Sequence, residues 1–544
     1  MEKNSFVWKV AGAAGEGIMT TGLLLSKTIT RHGWYIFDYT EYPSLIRGGH
    51  NTYQVHASKN PVFSQASNTD LLIALNQDGI DLHLSELGSD SVVLYDSWGF
   101  KTRSPQGLAC KTIDIPLIKL ARESGGKDVM ANNVALGASI YLLGLDLTIL
   151  NQIIAKVFAD KSPDIIELNQ KAAAAGYNFL KALTKPLLSV SKQDLHFLTM
   201  TGNEAIALGA LAGGLQFYTA YPMTPSSSIL HFLADKASQG KIVVKHAEDE
   251  ISAVNMALGA SFAGIRTMTG TSGGGFCYMV EALGLAGIAQ LPLVIVESMR
   301  PGPALGMPTW TEQGDLSFVI YASHGEFVRL VLAPGDAQEA FELSRKAMEL
   351  SEKYQIPAII ISDKYLSESR YYVQLETTSF KNNRFAVIPK PVTNSYEHDE
   401  NGFSTEDGKV RAAQVKKRFE VLDKLRQEIP RQFWEEEPNS KLTFISFGST
   451  KGSIRQAREE LKSLGIATSM LNLSWLWPFP REQVEQVIKS SKNVVVVEGN
   501  IGGQLVQLIA SQTGFIAKNR INRYDGRPFY AEEIVEFVKN FKTK

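Results

Sequence analysis

Between residues 195 and 375, short apolar runs alternate with helical stretches, and this alternation constrains the fold more than any other feature. The runs are Phe217–Ala220, Ile242–His246, Thr267–Thr271, Leu293–Glu297, Phe327–Leu332 and Ala358–Ser362. A short continuous apolar run reads as a strand buried on both faces, and a helical connection makes successive strands parallel. The stretch therefore reads as a parallel sheet covered by helices. The same α/β pattern appears on either side. Residues 1–190 begin with a strand (Phe6–Val10), a glycine turn, a helix (Met19–His32) and a strand ending at Asp38. Apolar runs at Asp70–Leu75 and Ser91–Leu94 follow, then a long helical tail from Leu117 to Leu183. Lys185–Asp194 reads as a linker, and residues 376–440 as a polar connector with a charged helix at Lys409–Glu428. A last α/β stretch, 441–544, has strands at Leu442–Phe447, Ala467–Leu471 and Asn493–Glu498. At 544 residues the chain is too long for one core and predicts three to four domains.

Apolar content of 44% and charged content of 20% are those of an ordinary globular protein, and a net charge of −1 gives no electrostatic case for nucleic acid or an anionic membrane. No apolar run reaches the roughly 20 residues that span a bilayer. The first residues lack the pattern of a signal peptide, which points to the cytoplasm. Cys110 and Cys277 are the only cysteines, too few for an iron–sulfur cluster or a zinc site. Any cluster that serves this chain is expected on another polypeptide.

Four loops carry the candidate chemistry. In Tyr221-Pro-Met-Thr-Pro-Ser, Pro222 and Pro225 stiffen the backbone on both sides of Thr224 just after a strand, where ligands of α/β proteins sit. A structural turn with a serine cap explains the same residues. His246-Ala-Glu-Asp-Glu250 opens a helix of small residues. Its carboxylates either favour the helix dipole or sit at the edge of a dry interior with a proton to exchange. Thr269-Gly-Thr-Ser-Gly-Gly-Gly275 is a glycine loop that lets backbone approach a ligand. Arg300, at a strand end in a Pro/Gly loop, has a planar fork that suits a carboxylate, or is a charged turn residue.

Together these residues resemble the alpha subunit of 2-oxoacid:ferredoxin oxidoreductases. The resemblance rests on Tyr221-Pro-Met-Thr-Pro-Ser, Ala247-Glu-Asp-Glu-Ile, Thr271-Ser-Gly-Gly-Gly-Phe, Arg300-Pro-Gly-Pro, Gly306-Met-Pro-Thr and Glu312-Gln-Gly-Asp-Leu. The N-terminal part resembles the gamma subunit of the same enzymes, through Gly12-Ala-Ala-Gly-Glu-Gly17 and Glu41-Tyr-Pro-Ser-Leu-Ile-Arg47-Gly-Gly. Met223 is often isoleucine in the family and Gly274 often proline, while Ala14 and Glu16 replace the usual Gly and Gln. The implied architecture is a gamma-type α/β domain (1–190), then the pyrimidine-binding domain of thiamine diphosphate enzymes (195–375). The connector (376–440) and an α/β domain like the C-terminal domain of transketolase (441–544) complete it.

The resemblance further implies a fused gamma–alpha chain of a CoA-acylating enzyme that decarboxylates a 2-oxoacid oxidatively and passes electrons to ferredoxin. The first-choice substrate is 2-oxoglutarate, with pyruvate and branched-chain acids as alternatives. Thiamine diphosphate would be shared with a beta subunit that holds its diphosphate, Mg2+ and a [4Fe–4S] cluster; this chain would hold no metal. By carry-over, Tyr221, Pro222, Thr224, Thr271, Ser272 and Gly273 line the cofactor, and Thr224 and Arg300 contact substrate. A glutamate that holds the aminopyrimidine falls at Glu248, with Glu250 the near competitor. Gly12, Gly15, Gly17 and Arg47 form a possible CoA or anion loop. Two other classes stay open. One is an NAD-dependent Rossmann dehydrogenase, resting on Gly12, Ala14, Gly17 and Asp38; the other is a non-catalytic scaffold of the same family.

Overall fold

The computed structural model describes residues 3–45, 48–105, 107, 109–195, 197–238, 242–375 and 394–541. It contains three sheets and divides into two compact units. The first comprises Met1–Thr199, Ser369–Gln374 and Tyr530–Glu532; the second takes the rest.

In the first unit the strand Ser5–Ala14 pairs parallel with Leu71–Ala74 on one side and antiparallel with Gly48–Ser58 on the other. Tyr35–Glu41 lies beyond Gly48–Ser58 and is antiparallel to it. The eight-stranded sheet runs Lys111–Asp114, Val92–Tyr95, Leu71–Ala74, Ser5–Ala14, Gly48–Ser58, Tyr35–Glu41, Arg370–Val373, and ends on Leu198–Thr201, where the chain leaves the unit. The strand Gly48–Ser58 was not expected. Two of its buried polar side chains find partners in the segment that follows the strand: Gln54 exchanges two hydrogen bonds with Ala66 (3.0 and 3.1 Å), and His56 Nδ1 lies 2.8 Å from the Ser64 carbonyl. Burying amides and imidazoles costs little when each finds a partner. The helical tail is four helices, Leu117–Glu123, Ala131–Leu142, Leu147–Val157 and Pro163–Leu183.

The second unit holds the expected parallel sheet. Its seven strands run Trp475–Trp477, Leu330–Leu332, Pro357–Asp363, Leu293–Met299, Thr267–Thr271, Phe217–Ala220, Val243–His246. All are parallel except Trp475–Trp477, which comes from the last α/β stretch and pairs antiparallel with Leu330–Leu332. A five-stranded sheet, Phe433–Glu435, Thr468–Leu473, Leu442–Phe447, Val494–Glu498, Asn519–Asn522, completes the unit. One continuous core joins the two: Ile295, Val331 and Ile361 from the first sheet are in the same buried cluster as Ile445, Leu473 and Val496 from the second. The connector helix is Gly408–Gln427, capped by Asp407.

The glycine turns of the last α/β stretch are structural. At Gly499, Gln313 accepts the N–H at 2.9 Å and donates its own to the carbonyl at 2.6 Å. Glu498 accepts the N–H groups of Leu505 (2.8 Å) and Val506 (3.2 Å) at the start of helix Gln504–Thr513, so the donors that a bound anion would use are already taken. At Gly448, the following Ser449 donates to Asp363 at 2.5 Å, and Lys451 pairs with Asp336 and Glu339 at 2.5 Å each.

Candidate active site

Four neighbouring strands of the seven-stranded sheet deliver the candidate residues at their carboxyl ends. Thr224 follows Phe217–Ala220, Glu250 follows Val243–His246, Thr271 closes Thr267–Thr271, and Arg300 follows Leu293–Met299. The carboxyl end of a parallel sheet is where chain reversals leave room for a ligand.

The Thr224 loop is fixed from several directions. Asn203 donates to the Pro225 carbonyl at 2.7 Å, Ser226 donates through both N–H and Oγ to the Met223 carbonyl (2.9 and 2.8 Å), and the Thr224–Pro225 peptide is cis. Arg300 Nη1 donates to the Thr224 carbonyl at 2.8 Å, which ties the loop to the substrate-arginine candidate. Arg300 is buried, and its Nε–H has no acceptor among the described residues. That donor is one prong of the fork that a carboxylate would occupy. Burial lowers the proton affinity of Arg300, and Asp315 and Glu250 oppose that effect.

The acidic cluster resolves by position. Asp249 is the N-cap of helix Glu250–Phe262 and accepts the Ser252 N–H at 2.7 Å. Glu248, one residue before it, points into solvent. Glu250, one residue after it, is 6% exposed, and its Oε1 is buried without a hydrogen-bond partner. A Cβ on Gly275 would lie 2.1 Å from Thr271 Oγ1 and 2.4 Å from Glu250 Oε1, so the carboxylate and the hydroxyl converge on a backbone that only glycine permits. An exposed carboxylate is held by water. A buried one without a partner among the described residues is costly unless a donor meets it. Of the two glutamates, Glu250 is therefore the inward one and Glu248 the exposed one.

The remaining expected residues distribute around this centre. Ser272 Oγ is buried and without a partner, and Thr271 Oγ1 rests 3.8 Å from Met223 Sδ. Gly273 faces Asp315, whose Oδ2 lies 2.4 Å from where a Cβ would stand. Pro222 is half-buried, and Tyr221 is exposed with its ring 6.5 Å from that of His246. Two further groups, Glu297 and Asp315, had been given no role. Glu297 is fully buried at the end of Leu293–Met299, directly beside Thr271 in the next strand. Burial pushes its carboxyl well above the ordinary range, and raises that of Asp315 to about 6. A carboxyl at the end of the apolar run Leu293-Val-Ile-Val-Glu297 is the sequence signal that could have found it.

In the glycine turn of the first unit, Glu16 Oε2 accepts the Ala13 N–H at 2.6 Å and would lie 2.3 Å from a Cβ on Gly12, so the Glu16 side chain folds back over the turn at Gly12. Arg47 lies outside the described residues. The NAD reading fails on the same unit. Asp38 is buried and accepts hydrogen bonds from Ser26 Oγ and Tyr53 OH, both 2.6 Å, instead of facing a ribose. Its strand is antiparallel to its neighbour Gly48–Ser58, which is not the parallel βαβ arrangement a dinucleotide needs. Among the described residues no helix is long and apolar enough to cross a membrane, and no group of three or more His, Cys, Asp or Glu could hold a metal ion.

Three families match in succession. "Pyruvate ferredoxin/flavodoxin oxidoreductase" matches residues 7–179, "Pyruvate flavodoxin/ferredoxin oxidoreductase, thiamine diP-bdg" residues 208–419, and "Pyruvate:ferredoxin oxidoreductase core domain II" residues 440–534. The 2-oxoacid:ferredoxin oxidoreductase subunit alpha of Sulfolobus sp is 30% identical, over 97% of this chain and 96% of its own. The 2-oxoglutarate oxidoreductase subunit KorA of Mycobacterium tuberculosis is 26% identical over 98% of this chain and 91% of its own. A solved 2-oxoglutarate:ferredoxin oxidoreductase from Magnetococcus marinus, with 2-oxoglutarate, coenzyme A and succinyl-CoA bound, superposes with a TM-score of 0.89 at 29% identity and 99% coverage of both chains. A multidomain α/β chain with a thiamine diphosphate-binding domain, it belongs to the 2-oxoacid:ferredoxin oxidoreductase family, on the alpha-subunit branch.

Proposed function

We propose that this chain supplies the aminopyrimidine and substrate-carboxylate half of an active site that converts a 2-oxoacid and CoA to acyl-CoA and CO2, with two electrons passed to ferredoxin. The observation that carries the proposal is Glu250: a buried carboxylate with a free oxygen, seated against Thr271 and Gly275 at the end of a parallel sheet. Those residues fit the edge of an aminopyrimidine ring. When bound, thiamine diphosphate supplies the electron sink that a 2-oxoacid lacks for the loss of CO2. Glu250 would meet the ring nitrogen through its free oxygen, and the dry surroundings would strengthen that hydrogen bond. Arg300, anchored through Nη1 on the Thr224 carbonyl, offers its remaining N–H groups to the carboxylate of the 2-oxoacid. The rigid Thr224 loop keeps cofactor and substrate contacts in register.

The site is open on one side. Ile251, Asn255, Gly259 and Phe262 share an exposed face of helix Glu250–Phe262, an apolar surface of the kind that marks a protein interface. A beta subunit on this face would bring the diphosphate site, Mg2+ and the [4Fe–4S] cluster, for which two free cysteines cannot provide. Free thiols also suit a cytoplasmic location. The bound ligands of the Magnetococcus marinus relative favour 2-oxoglutarate as the substrate and CoA as the acceptor. The test is co-expression with a beta subunit, followed by CoA-dependent ferredoxin reduction with 2-oxoglutarate, pyruvate and a branched-chain 2-oxoacid. Turnover with 2-oxoglutarate fastest is the expected result. An assembled complex inert towards all three would return the chain to a scaffold role.

A further inference from the structure

Three consecutive carbonyls of the Thr224 loop are each held by a side chain from a different element. Ser226 Oγ donates to the Met223 carbonyl at 2.8 Å, Arg300 Nη1 to that of Thr224 at 2.8 Å, and Asn203 Nδ2 to that of Pro225 at 2.7 Å. Asn203 belongs to the helix Gly202–Ala212, whose start is pinned. Thr201 and Glu204 close a reciprocal cap on it (3.2 and 2.8 Å), and a Cβ on Gly202 would lie 2.2 Å from the Leu366 carbonyl. The same amide nitrogen donates to Ser228 Oγ at 2.8 Å. Turned the other way, the amide would set Oδ1 against the Pro225 carbonyl, so its neighbours fix its orientation. Asn203 is fully buried, and its Oδ1 has no partner among the described residues. A buried amide oxygen without a donor costs stability, and an apolar residue of the same size carries no such penalty. Stability alone does not account for an asparagine here; its two donors do.

We propose that Asn203 is a positioning residue for substrate binding: by holding the Pro225 carbonyl it fixes the Thr224 carbonyl one residue earlier, and through it the place of Arg300. The inference rests on the assignment of Arg300 to the 2-oxoacid carboxylate. Arg300 Nη1 is anchored on a backbone carbonyl, so the position of the cation follows the backbone of the loop. The ring of Pro225 fixes its own φ, and a displacement of its carbonyl is therefore passed to the Thr224 peptide instead of being absorbed between them. A carboxylate that receives two parallel N–H bonds from a guanidinium is sensitive to its angle as well as its distance. Without the donors of Asn203, the Pro225 carbonyl is free to turn, the Thr224 peptide tilts, and Arg300 loses a fixed anchor. The carboxylate is bound alike in the ground state and the transition state, so the loss falls on KM.

The test uses the assembled complex with Asn203→Leu, which keeps the volume and removes the donors, and Asn203→Ala, each alone and combined with Arg300→Lys. Either Asn203 variant should raise KM for the 2-oxoacid by about ten-fold, with kcat within about three-fold of the unaltered complex. In the Arg300→Lys background the same substitutions should add less than about two-fold, because the residue acts through the arginine. Hydrogen exchange of the full-length chain supplies a readout besides turnover. The Ser226 N–H is held by the Met223 carbonyl at 2.9 Å and the Ile229 N–H by that of Ser226 at 3.0 Å. Exchange at both should quicken in Asn203→Leu and in Arg300→Ala. Full additivity of the two substitutions on KM, or a fall in kcat with KM unchanged, overturns the role towards Arg300. Unchanged exchange in Arg300→Ala overturns the tie between the arginine and the loop, and that measurement needs no Asn203 variant to fold. A native KM in Arg300→Lys and Arg300→Ala fails the substrate assignment itself, and the positioning role with it.

Discussion

Replacing Gly275 by alanine tests the geometry of the candidate site most sharply. The new Cβ would stand 2.1 Å from Thr271 Oγ1 and 2.4 Å from Glu250 Oε1. Thr271 is β-branched and fully buried, so its side chain has little freedom to turn away. Glu250 is unbranched and gives way, and to reach ordinary contact its carboxylate retreats by about 1 Å. Overpacking of this kind costs about 1–3 kcal/mol of stability. A displacement of about 1 Å at a group that must meet a ring nitrogen costs on the order of 10²-fold in turnover. Denaturant unfolding of the isolated chain reads the first, and ferredoxin reduction by the complex reads the second. Gly259→Ala, on the helix that begins at Glu250, is the control for the stability measurement alone, because a Cβ there meets nothing within 4 Å among the described residues. It should stabilise the isolated chain by roughly 0.5–1 kcal/mol. Gly275→Ala with native stability and native turnover would refute the placement of Glu250.

Arg300→Lys should raise KM for the 2-oxoacid, and Arg300→Ala should lower kcat/KM by about 10²-fold or more, both with thiamine diphosphate affinity unchanged. Steady-state kinetics and cofactor titration check this; an alanine variant of native efficiency makes Arg300 a turn residue. Lys451→Met strips the buried cation from half-buried Asp336 and Glu339 and should destabilise the second unit by about 1.5–3 kcal/mol in denaturant titrations. Asp38 has its folded-state pKa raised from 3.8 to about 6 by burial, so the native state binds the proton more tightly than the unfolded chain does. Its contribution is present below pH 4 and lost as pH rises through about 6, a slope worth about 3 kcal/mol. Asp38→Asn should flatten that part of the stability profile of the first unit, as read by denaturant midpoints across this range.

The central sheet was legible because its strands are buried on both faces and read as unbroken apolar runs between helices. All six expected runs are strands, with ends shifted by a few residues. Gly48–Ser58 was not legible, because His50, Asn51, Gln54 and His56 resemble a polar loop until their sheet and side-chain partners are known. At the glycine turn before Ile18, spacing alone does not show that Glu16 folds back against it. In the acidic cluster the residue types carried the chemistry, but the choice between Glu248 and Glu250 turned on which residue caps the helix. Asp249, three residues before Ser252, held that information as an Asp N-cap pattern.

Glutamine at 250 and at 248, compared in the same assembled complex, tests the account most directly. Each substitution keeps size and removes the acid. Glu250→Gln should lower 2-oxoacid-dependent ferredoxin reduction by about 10²–10⁴-fold, because the proton held at the ring nitrogen is gone. Glu248→Gln, at an exposed position, should stay within about two-fold of the unaltered enzyme. The reverse order would place the inward carboxylate two residues earlier, and full activity in both would contradict a thiamine diphosphate site on this chain.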